Sequence, residues 1–285
     1  MRLASLAARR HGIKDPIRPL RTSANHVFRA GDVVVRVAPQ SADVSGQVAL
    51  ARRLLSEGIH VAAPLADADV VDGAKLSLWE YIDVDVRRAI DFEQLGEVLA
   101  RLHRVAPARL RDVVALPFCG DAAWLAVEQN LALAEAANVV DADGLAALRR
   151  ECVALRDWQD RARRDMLVVC HGDVHPKNVL MRGDEVVIID WDAICIGPPA
   201  WDHAALIKWA DRWGGAAGSY PDFARGYGAD LRESSLAQEL AAVRLLAPTI
   251  NMIINAESNP ACAAEANARM RYWLGDPAAP MWTPF

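Results

Sequence analysis

Residues 168–192, VVCHGDVHPKNVLMRGDEVVIIDWD, constrain the fold of this chain more than any other stretch. They place histidines, four aspartates and an asparagine between apolar, β-branched runs. Burying a carboxylate is costly unless something neutralises it, so these acids need a partner. The runs NVLMR and EVVIID flank Gly183-Asp184, a dipeptide typical of a two-residue hairpin turn. The segment therefore predicts a β-hairpin with polar side chains where its strands open.

The register of this hairpin follows from counting outward from the turn. If Arg182 faces Glu185, antiparallel pairing places Asn178 opposite Ile189. Asn178 and Asp190 then meet at the open end of the hairpin as two neighbouring oxygen ligands. Hard oxygen donors of this kind suit Mg²⁺ carrying a nucleotide phosphate. The missing partner is predicted to be a metal ion.

A third acceptor, Asp173, lies five residues before Asn178, in the loop that enters the hairpin. An aspartate, an asparagine five residues later and an aspartate after the next hairpin are typical of phosphoryl transfer by kinases. Asp173 is predicted to take the proton of a substrate hydroxyl, while Asn178 and Asp190 hold Mg²⁺. His171 is predicted to fix the loop by hydrogen bonding. A polar turn between buried strands would explain the glycine and proline, but not three converging acceptors.

On these motifs the sequence resembles the aminoglycoside phosphotransferases, kinase-like enzymes that phosphorylate hydroxyls of small molecules. HGDVHPKNVL is similar to their catalytic loop, and VIIDWD to their metal segment. GPPAWDHA resembles their following segment, where Asp202 matches a structural acid, and DFEQLGEVLARLH resembles their first helix after the hinge. The resemblance spans roughly residues 20 to 230. It implies ATP or GTP and Mg²⁺ as cofactors, and the last fifty residues match nothing in it.

The fold expected from both arguments is α+β and bilobal, like a protein kinase. The first eighty residues carry hairpin signals at Gly31-Asp32 and Asp72-Gly73, with an amphipathic helix predicted over 43–58 between them. After Tyr81 the sequence becomes helical and alanine-rich. We predict a β-rich nucleotide-binding lobe over 1–82 and a mainly helical lobe over 83–285, which carries the catalytic loop and the substrate site.

The small lobe departs from the family pattern where the phosphates should bind. Arg36 stands in VVVRVAP where lysine is usual, and a guanidinium can grip phosphate oxygens in a bidentate fashion. Gln47 stands where a glutamate would pair with that cation, and Asp43 could supply the charge instead. The segment TSANHVF lacks a glycine-rich loop, so Ser23 and backbone N–H groups are its candidate phosphate contacts.

The segment LSLWEYI resembles the hinge that holds adenine in this family. The resemblance implies that the carbonyl of Glu80 and the N–H of Ile82 contact the base. Backbone recognition leaves both side chains without an assigned role.

Substrate recognition is expected after Asp190, on the helical lobe. The stretch is acidic and aromatic, which suits a cationic, partly flat ligand. The candidates are Asp192, Trp201, Asp202 and Asp211, with Trp209 and Trp213 beside them. Alternatively, these tryptophans form a core-facing helix stripe and the aspartates are solvated.

Bulk properties narrow the class of protein. The formal net charge of −5 is the opposite of what a nucleic-acid surface needs, and it is compatible with a cationic substrate. The five scattered cysteines, without a CxxC pair, indicate reduced thiols in a cytoplasm.

The start MRLASLAARRHG predicts a short amphipathic helix and lacks a signal-peptide pattern. The longest uncharged run, 245–256, is shorter than the roughly 18 residues of a spanning helix, so no membrane partner is expected.

Other functions stay open at this point. His171, Asp173 and His175 form an HxDxH cluster that could bind a transition metal in a hydrolase. A nucleotide-binding pseudoenzyme would explain Gln47 and the poor phosphate loop, although Asp173 is retained. Within the phosphotransferases, the acceptor could be an aminoglycoside or a basic peptide antibiotic, with resistance as the outcome, or a metabolite such as choline, homoserine or a sugar.

Overall fold

The computed structural model of the chain describes residues 2–22, 26–85, 88–256 and 258–283. An antiparallel sheet forms the N-terminal part, and helices with short strand pairs form the rest. The predicted α+β class is therefore confirmed. None of the helices in the described ranges is long and apolar enough to cross a membrane.

Within the described residues, five antiparallel strands form the N-terminal sheet in the order β1-β2-β3-β5-β4. They are β1 Ile17–Thr22, β2 His26–Ala30, β3 Val33–Ala38, β4 Asp69–Val71 and β5 Ala74–Glu80. Both predicted hairpins are confirmed, because Ala30 pairs with Val33 and Val71 pairs with Ala74. The first turn contains Gly31 at a φ of 58°, a conformation that glycine adopts without steric cost.

Helix α1, Arg2–Arg10, packs on this sheet and confirms the amphipathic helix predicted at the start of the chain. Its alanines at 4, 7 and 8 are buried in one cluster with Phe28 and Val35. Strand β1 was not predicted, since IRPLRT contains a proline. It lies at the sheet edge, where a missing backbone N–H is tolerated.

Helix α2, Val44–Ser56, crosses between the hairpins at the predicted position. It begins at Asp43, whose carboxylate accepts a hydrogen bond of 2.9 Å from the backbone N–H of Gly46. It ends just before Gly58, which has a φ of 74°. Local sequence signals at both ends therefore determine its length.

The rest of the chain is mainly helical. Its helices are α3 Phe92–Leu102, α4 Val127–Ala136, α5 Ala142–Leu155, α6 Trp158–Arg163, α7 Ala200–Ile207, α8 Trp209–Trp213, α9 Ser219–Tyr227, α10 Ser235–Ala256 and α11 Pro260–Trp273. Helix α10 runs through the core, where Leu240, Leu246 and Ile250 are fully buried. The segment that matched no motif thus supplies a central helix of this half.

Two short strand pairs flank the loop that the sequence predicts to be catalytic. Strand β6, Val168–Cys170, pairs with β9, Cys195–Gly197, and strand β7, Val179–Arg182, pairs with β8, Glu185–Ile188. Arg182 faces Glu185, and the backbone N–H of Ile189 donates to the carbonyl of Asn178 at 2.9 Å. The register predicted by counting from Gly183-Asp184 is confirmed.

The β-rich and helical parts contact each other through this same hairpin. The backbone N–H of Ile188 donates to the carbonyl of His60 at 3.0 Å, and Val61 forms a bridge with Ile188. The division of the chain at residue 82 stays a prediction.

Candidate active site

Asp173 lies in the loop between β6 and a 3-10 turn at Pro176–Asn178. Its Oδ1 is 2.7 Å from Nη2 of Arg244, and its Oδ2 is 3.4 Å from Nε2 of His175. The side chain is nevertheless 42% exposed. The carboxylate is therefore held from one side and accessible to a ligand from the other.

The electrostatic surroundings keep Asp173 ionised. Burial by itself would raise the pKa of Asp173, but the hydrogen bond with His175 and the charge of Arg244 outweigh it and hold this pKa well below its usual range. An ionised carboxylate accepts hydrogen bonds and donates none. Asp173 can therefore accept a hydrogen bond, which its predicted role as base requires, and that role stays a prediction.

Asp202 anchors the backbone of this loop. Its oxygens accept hydrogen bonds from the backbone N–H groups of His171 and Gly172, each at 2.9 Å, and Nε2 of His103 lies 3.0 Å from Oδ2. Gly172 has a φ of 86°, and a Cβ there would lie 2.0 Å from the carbonyl oxygen of Ala193. Asp202 is only 1% exposed. It acts as a structural acid, and the prediction that it contacts the substrate is wrong because the loop occupies its carboxylate.

Asn178 and Asp190 both lie at the open end of the hairpin, where the backbone N–H of Ile189 donates to the carbonyl of Asn178. The amide nitrogen of Asn178 donates to the carbonyl of Asp173 at 3.0 Å, so its amide oxygen is the atom that would ligate a cation. Asp190 follows β8 with a φ of 65°, in the left-handed region. This conformation is uncommon for a residue other than glycine, so Asp190 occupies a constrained backbone position.

The charges around Asp190 fit a divalent cation. Burial raises the pKa of Asp190, the neighbouring charges of Asp192 and Asp173 raise it further, and Arg36 compensates only in part. A carboxylate in such an acidic setting gains from a bound cation, and its oxygens are the donors that Mg²⁺ prefers. The residues present therefore fit the Mg²⁺ that the sequence predicts.

Asp192 contacts two residues of the N-terminal part, and its predicted contact with the substrate stays a prediction. Its Oδ2 lies 2.5 Å from Nη2 of Arg36, and its Oδ1 accepts a hydrogen bond of 2.6 Å from Nε2 of Gln47. The expected acid on Arg36 therefore comes from the metal segment. The alternative partner, Asp43, caps α2 instead.

The predicted adenine contacts are made by backbone groups, and the side chains of Glu80 and Ile82 have other surroundings. The Glu80 carboxylate accepts a hydrogen bond of 2.7 Å from the backbone N–H of Ala63 and pairs with Arg182. Ile82 is buried. The roles expected of the Glu80 carbonyl and the Ile82 N–H stay predictions, and Ser23 lies outside the described residues.

Trp201 belongs to the core. It is 2% exposed and stacks on Trp158 with ring centroids 5.7 Å apart. The prediction that it meets the substrate is wrong, because a buried indole within a helix that packs against α10 is not accessible to one. The alternative that this tryptophan is core-facing is the correct one.

An aromatic stack extends from the catalytic loop to α8. Trp209 stacks on His175 with centroids 6.4 Å apart, and Trp213 stacks on Trp209 at 6.0 Å. Both indoles are partly exposed. Since His175 contacts Asp173, this stack forms a wall beside the proposed base.

Asp211 is exposed on the same helix and lines a groove of about 400 Å³. Lys208 and Arg212 line this groove as well, together with Tyr272 and Met281. The groove is therefore mixed in charge, whereas the sequence stretch predicted an acidic surface. Its cations, Lys208 and Arg212, lie in the same stretch of sequence as Asp211.

A model of the phosphotransferase enzyme family matches residues 17–245. The chain belongs to this family. The matched range contains both ends of the site, from Arg36 on β3 to Arg244 on α10. This phosphotransferase is an enzyme with an alcohol group as acceptor, as predicted.

Several solved structures share its fold. A choline/ethanolamine kinase family protein from Mesorhizobium loti is 23% identical, with a TM-score of 0.71 and coverage of 97% of this chain and 94% of that chain. A spectinomycin phosphotransferase, solved with ADP and spectinomycin, is 16% identical, with a TM-score of 0.70 and coverage of 98% and 94%. A macrolide 2′-phosphotransferase from Brachybacterium faecium is 20% identical, with a TM-score of 0.60 and coverage of 94% and 97%. They confirm the kinase-like fold, while no curated protein sequence matches the chain.

The hydrolase alternative is wrong for this phosphotransferase. Nε2 of His171 lies 3.1 Å from the carbonyl oxygen of Ile189, and Nδ1 accepts from the backbone N–H of Asp173 at 3.2 Å. With both ring nitrogens engaged, His171 fixes the loop, as predicted, and is not available as a metal ligand.

Sequence reasoning missed two residues of the site. Arg244 lies in the segment that matched no motif, and nothing local distinguishes it from the other arginines of the chain. His103 is the last residue of DFEQLGEVLARLH, the stretch that resembles the family's first helix after the hinge, and no role was predicted for it. That resemblance was the one signal that could have placed His103 near Asp202.

Proposed function

We propose that this phosphotransferase moves the γ-phosphoryl group of ATP, or of GTP, to a hydroxyl of a small cationic antibiotic. An aminoglycoside or a basic peptide antibiotic is the expected acceptor, with resistance as the result. The observation that carries the proposal is the ionised, accessible Asp173 carboxylate beside the Asn178–Asp190 pair. The cytoplasm is the expected location, because nucleotide is abundant there.

The residues divide the chemistry among them. Asp173 accepts a hydrogen bond from the acceptor hydroxyl and takes its proton while the acceptor oxygen forms a bond to phosphorus. The bond between phosphorus and the oxygen that bridges to ADP breaks in the same reaction. Asn178 and Asp190 would hold Mg²⁺, which would neutralise charge on the phosphates.

For the nucleotide we assign phosphate contacts to Arg36 and Ser23 and an orienting role to Gln47. Gln47 lies beside the Arg36 guanidinium, because both side chains bind the carboxylate of Asp192. The adenine is assigned to the Glu80 carbonyl and the Ile82 N–H. Support for a nucleotide comes from the spectinomycin phosphotransferase of the same fold, which was solved with ADP.

The acceptor is assigned to the surface between Asp173 and α8. The wall of His175, Trp209 and Trp213 offers ring faces, which attract the cationic groups of such antibiotics. Asp211 adds a carboxylate at the groove beyond it. Spectinomycin and macrolide phosphotransferases share the fold, which supports an antibiotic acceptor.

A hydroxylated metabolite is the second candidate. The choline/ethanolamine kinase family protein shares the fold at a TM-score of 0.71, and an aromatic wall also suits a quaternary ammonium group. Choline, homoserine and sugars therefore belong in the same test.

The test measures ADP formation with a panel of aminoglycosides, capreomycin, viomycin, spectinomycin, macrolides, choline, ethanolamine, homoserine and sugars. Mass spectrometry then identifies products that carry one added phosphoryl group. We expect an antibiotic to be turned over with the highest kcat/KM, and expression in a susceptible host to raise its inhibitory concentration. Turnover of metabolites alone would overturn the antibiotic assignment and leave the phosphotransferase standing.

Two variants sharpen this test. Asp173→Ala should lower kcat by roughly three orders of magnitude while Mg²⁺·ATP binding changes little, because the base and the acceptor's orientation are both lost. Asp211→Asn should raise the acceptor KM if the acceptor is cationic. Unchanged KM in Asp211→Asn, with normal activity, would remove the cationic assignment.

A further inference from the structure

A largely buried arginine from the C-terminal half holds the proposed base. Nη2 of Arg244 donates to Oδ1 of Asp173 at 2.7 Å, and Nη1 donates to the carbonyl of Gly172 at 3.1 Å. We propose that Arg244 is a positioning residue for phosphoryl transfer, which orients the Asp173 carboxylate so that Oδ2 receives the acceptor hydroxyl. The inference rests on the proposed function.

The two hydrogen bonds of Arg244 fix the rotation of the Asp173 carboxylate, which a single hydrogen bond would leave free. Arg244 binds the backbone of Gly172 and the side chain of Asp173 with two nitrogens of one rigid, planar group. The carboxylate is thereby oriented relative to its own main chain. A lysine has a single ammonium on a flexible stem and cannot impose the same geometry.

The guanidinium is itself held in place. The Arg244 side chain is 9% exposed, and its Cζ lies 5.2 Å from the ring centre of Trp201 and 5.5 Å from that of Trp124. These indoles restrict the cation by packing and by cation–π attraction. Trp201, which does not reach the substrate, therefore contributes to the site through Arg244.

Residues other than Arg244 also hold the loop backbone. Asp202 already binds the N–H groups of His171 and Gly172, and Asn178 binds the carbonyl of Asp173. These anchors act on the main chain on both sides of the base. The contribution left for Arg244 is the orientation of the carboxylate.

The second carboxylate oxygen is held less firmly. Oδ2 of Asp173 lies 3.4 Å from Nε2 of His175 and 3.4 Å from the amide nitrogen of Asn178, both longer than typical hydrogen bonds. With Oδ1 occupied by Arg244, Oδ2 is the oxygen that can exchange a weak contact for the acceptor hydroxyl.

Kinetics of Arg244→Gln and Arg244→Lys test this role with the panel compound that the wild type phosphorylates. We expect Arg244→Gln to lower kcat on the order of 10²-fold, because a misplaced base loses orientation. Arg244→Lys should recover part of that loss. The ATP KM and the affinity for Mg²⁺·AMP-PNP, measured by calorimetry, should change less than about threefold.

Two controls separate positioning from stability. Arg161→Gln removes an arginine of α6 that binds Glu239 of α10, the helix that carries Arg244, and should leave kcat unchanged. In an Asp173→Asn background, Arg244→Gln should lower kcat no further, since both changes act through one carboxylate. An additional loss in that background would show that Arg244 acts by another route.

Ligand-free crystal structures give a readout that needs no acceptor. In Arg244→Gln we expect the loop backbone to superpose on the wild type while the Asp173 carboxylate turns to another rotamer. An unchanged carboxylate, or an unchanged kcat, would overturn the proposal. If the wild type phosphorylates no compound, the proposed function fails, and the carboxylate orientation still decides whether Arg244 positions Asp173.

Discussion

Nη2 of Arg36 lies 2.5 Å from Oδ2 of Asp192, two residues beyond the predicted metal ligand Asp190. The same carboxylate receives a hydrogen bond of 2.6 Å from Gln47. The arginine that is expected to hold phosphate therefore takes its orientation from the metal segment, and not from an acid on α2. The predicted phosphate contact of Arg36 and the predicted metal ligand Asp190 would thus be linked through residues 190–192.

This arrangement predicts a graded response at Arg36. Arg36→Lys keeps the charge but loses the bidentate fork, so the ATP KM should rise only about threefold. Arg36→Ala removes the charge and should raise it by roughly tenfold or more. Arg52→Ala, which breaks a surface pair with Asp67 in the same lobe, serves as the control and should have no effect. Equal effects of lysine and alanine at residue 36 would contradict the bidentate grip.

Asn178 and Asp190, the predicted Mg²⁺ ligands at the open end of the hairpin, can be tested through the Mg²⁺ requirement of the enzyme. Asn178→Ala and Asp190→Ala should each raise the Mg²⁺ concentration needed for half-maximal activity, and Asp190→Ala should be more damaging because it removes a full charge. Titration of activity with Mg²⁺ measures both effects. Asp184→Ala, at the exposed turn of the same hairpin, is the matched control. If Asp190→Ala and Asp184→Ala titrate alike, the metal lies elsewhere.

The aromatic wall predicts a selective effect on the acceptor. Trp209→Ala should raise the acceptor KM roughly tenfold, because it removes the ring stacked on His175, and should leave the ATP KM unchanged. Trp209→Phe keeps a ring face and should behave more like the wild type. A rise in both KM values would indicate damage to the fold and not to acceptor binding.

The hairpin could be predicted from sequence because its determinants are local. Gly183-Asp184 defines the turn, and counting from it placed Asn178 beside Ile189 without knowledge of the rest of the chain. The same holds for α2, whose ends are marked by Asp43 and Gly58. Helices and strands whose turn and capping residues lie within a few positions were therefore predicted with the correct type and position.

The directions of the side chains around the site depend on distant parts of the chain and could not be predicted from local sequence signals. Asp192 and Trp201 both come shortly after Asp190, but the Asp192 side chain contacts Arg36 on β3 whereas Trp201 is buried in the core. Arg244 reaches Asp173 from 71 residues away, through a helix whose path depends on the packed core. Such pairings are decided by tertiary packing, which no single stretch of sequence encodes.

His203 gives a prediction about stability and pH. Its ring is buried, Nδ1 lies 3.0 Å from the hydroxyl of Tyr220, and within the described residues Nε2 has no hydrogen-bond partner. Burial, together with the nearby charge of His103, lowers the pKa of His203 to about 3. The folded state therefore resists a proton that the unfolded state accepts near the usual histidine pKa of 6.5.

Since the unfolded state binds this proton more readily, the free energy of unfolding should fall as the pH drops below about 6.5, until the folded pKa is reached. Between about pH 7 and pH 5 the contribution of His203 is about 2 kcal/mol. Urea unfolding of His203→Phe should lack this part of the pH dependence, because phenylalanine fills the site without titrating. His26→Gln, an exposed histidine in β2, should retain it. Parallel pH profiles for the wild type and His203→Phe would show that His203 is not the residue responsible.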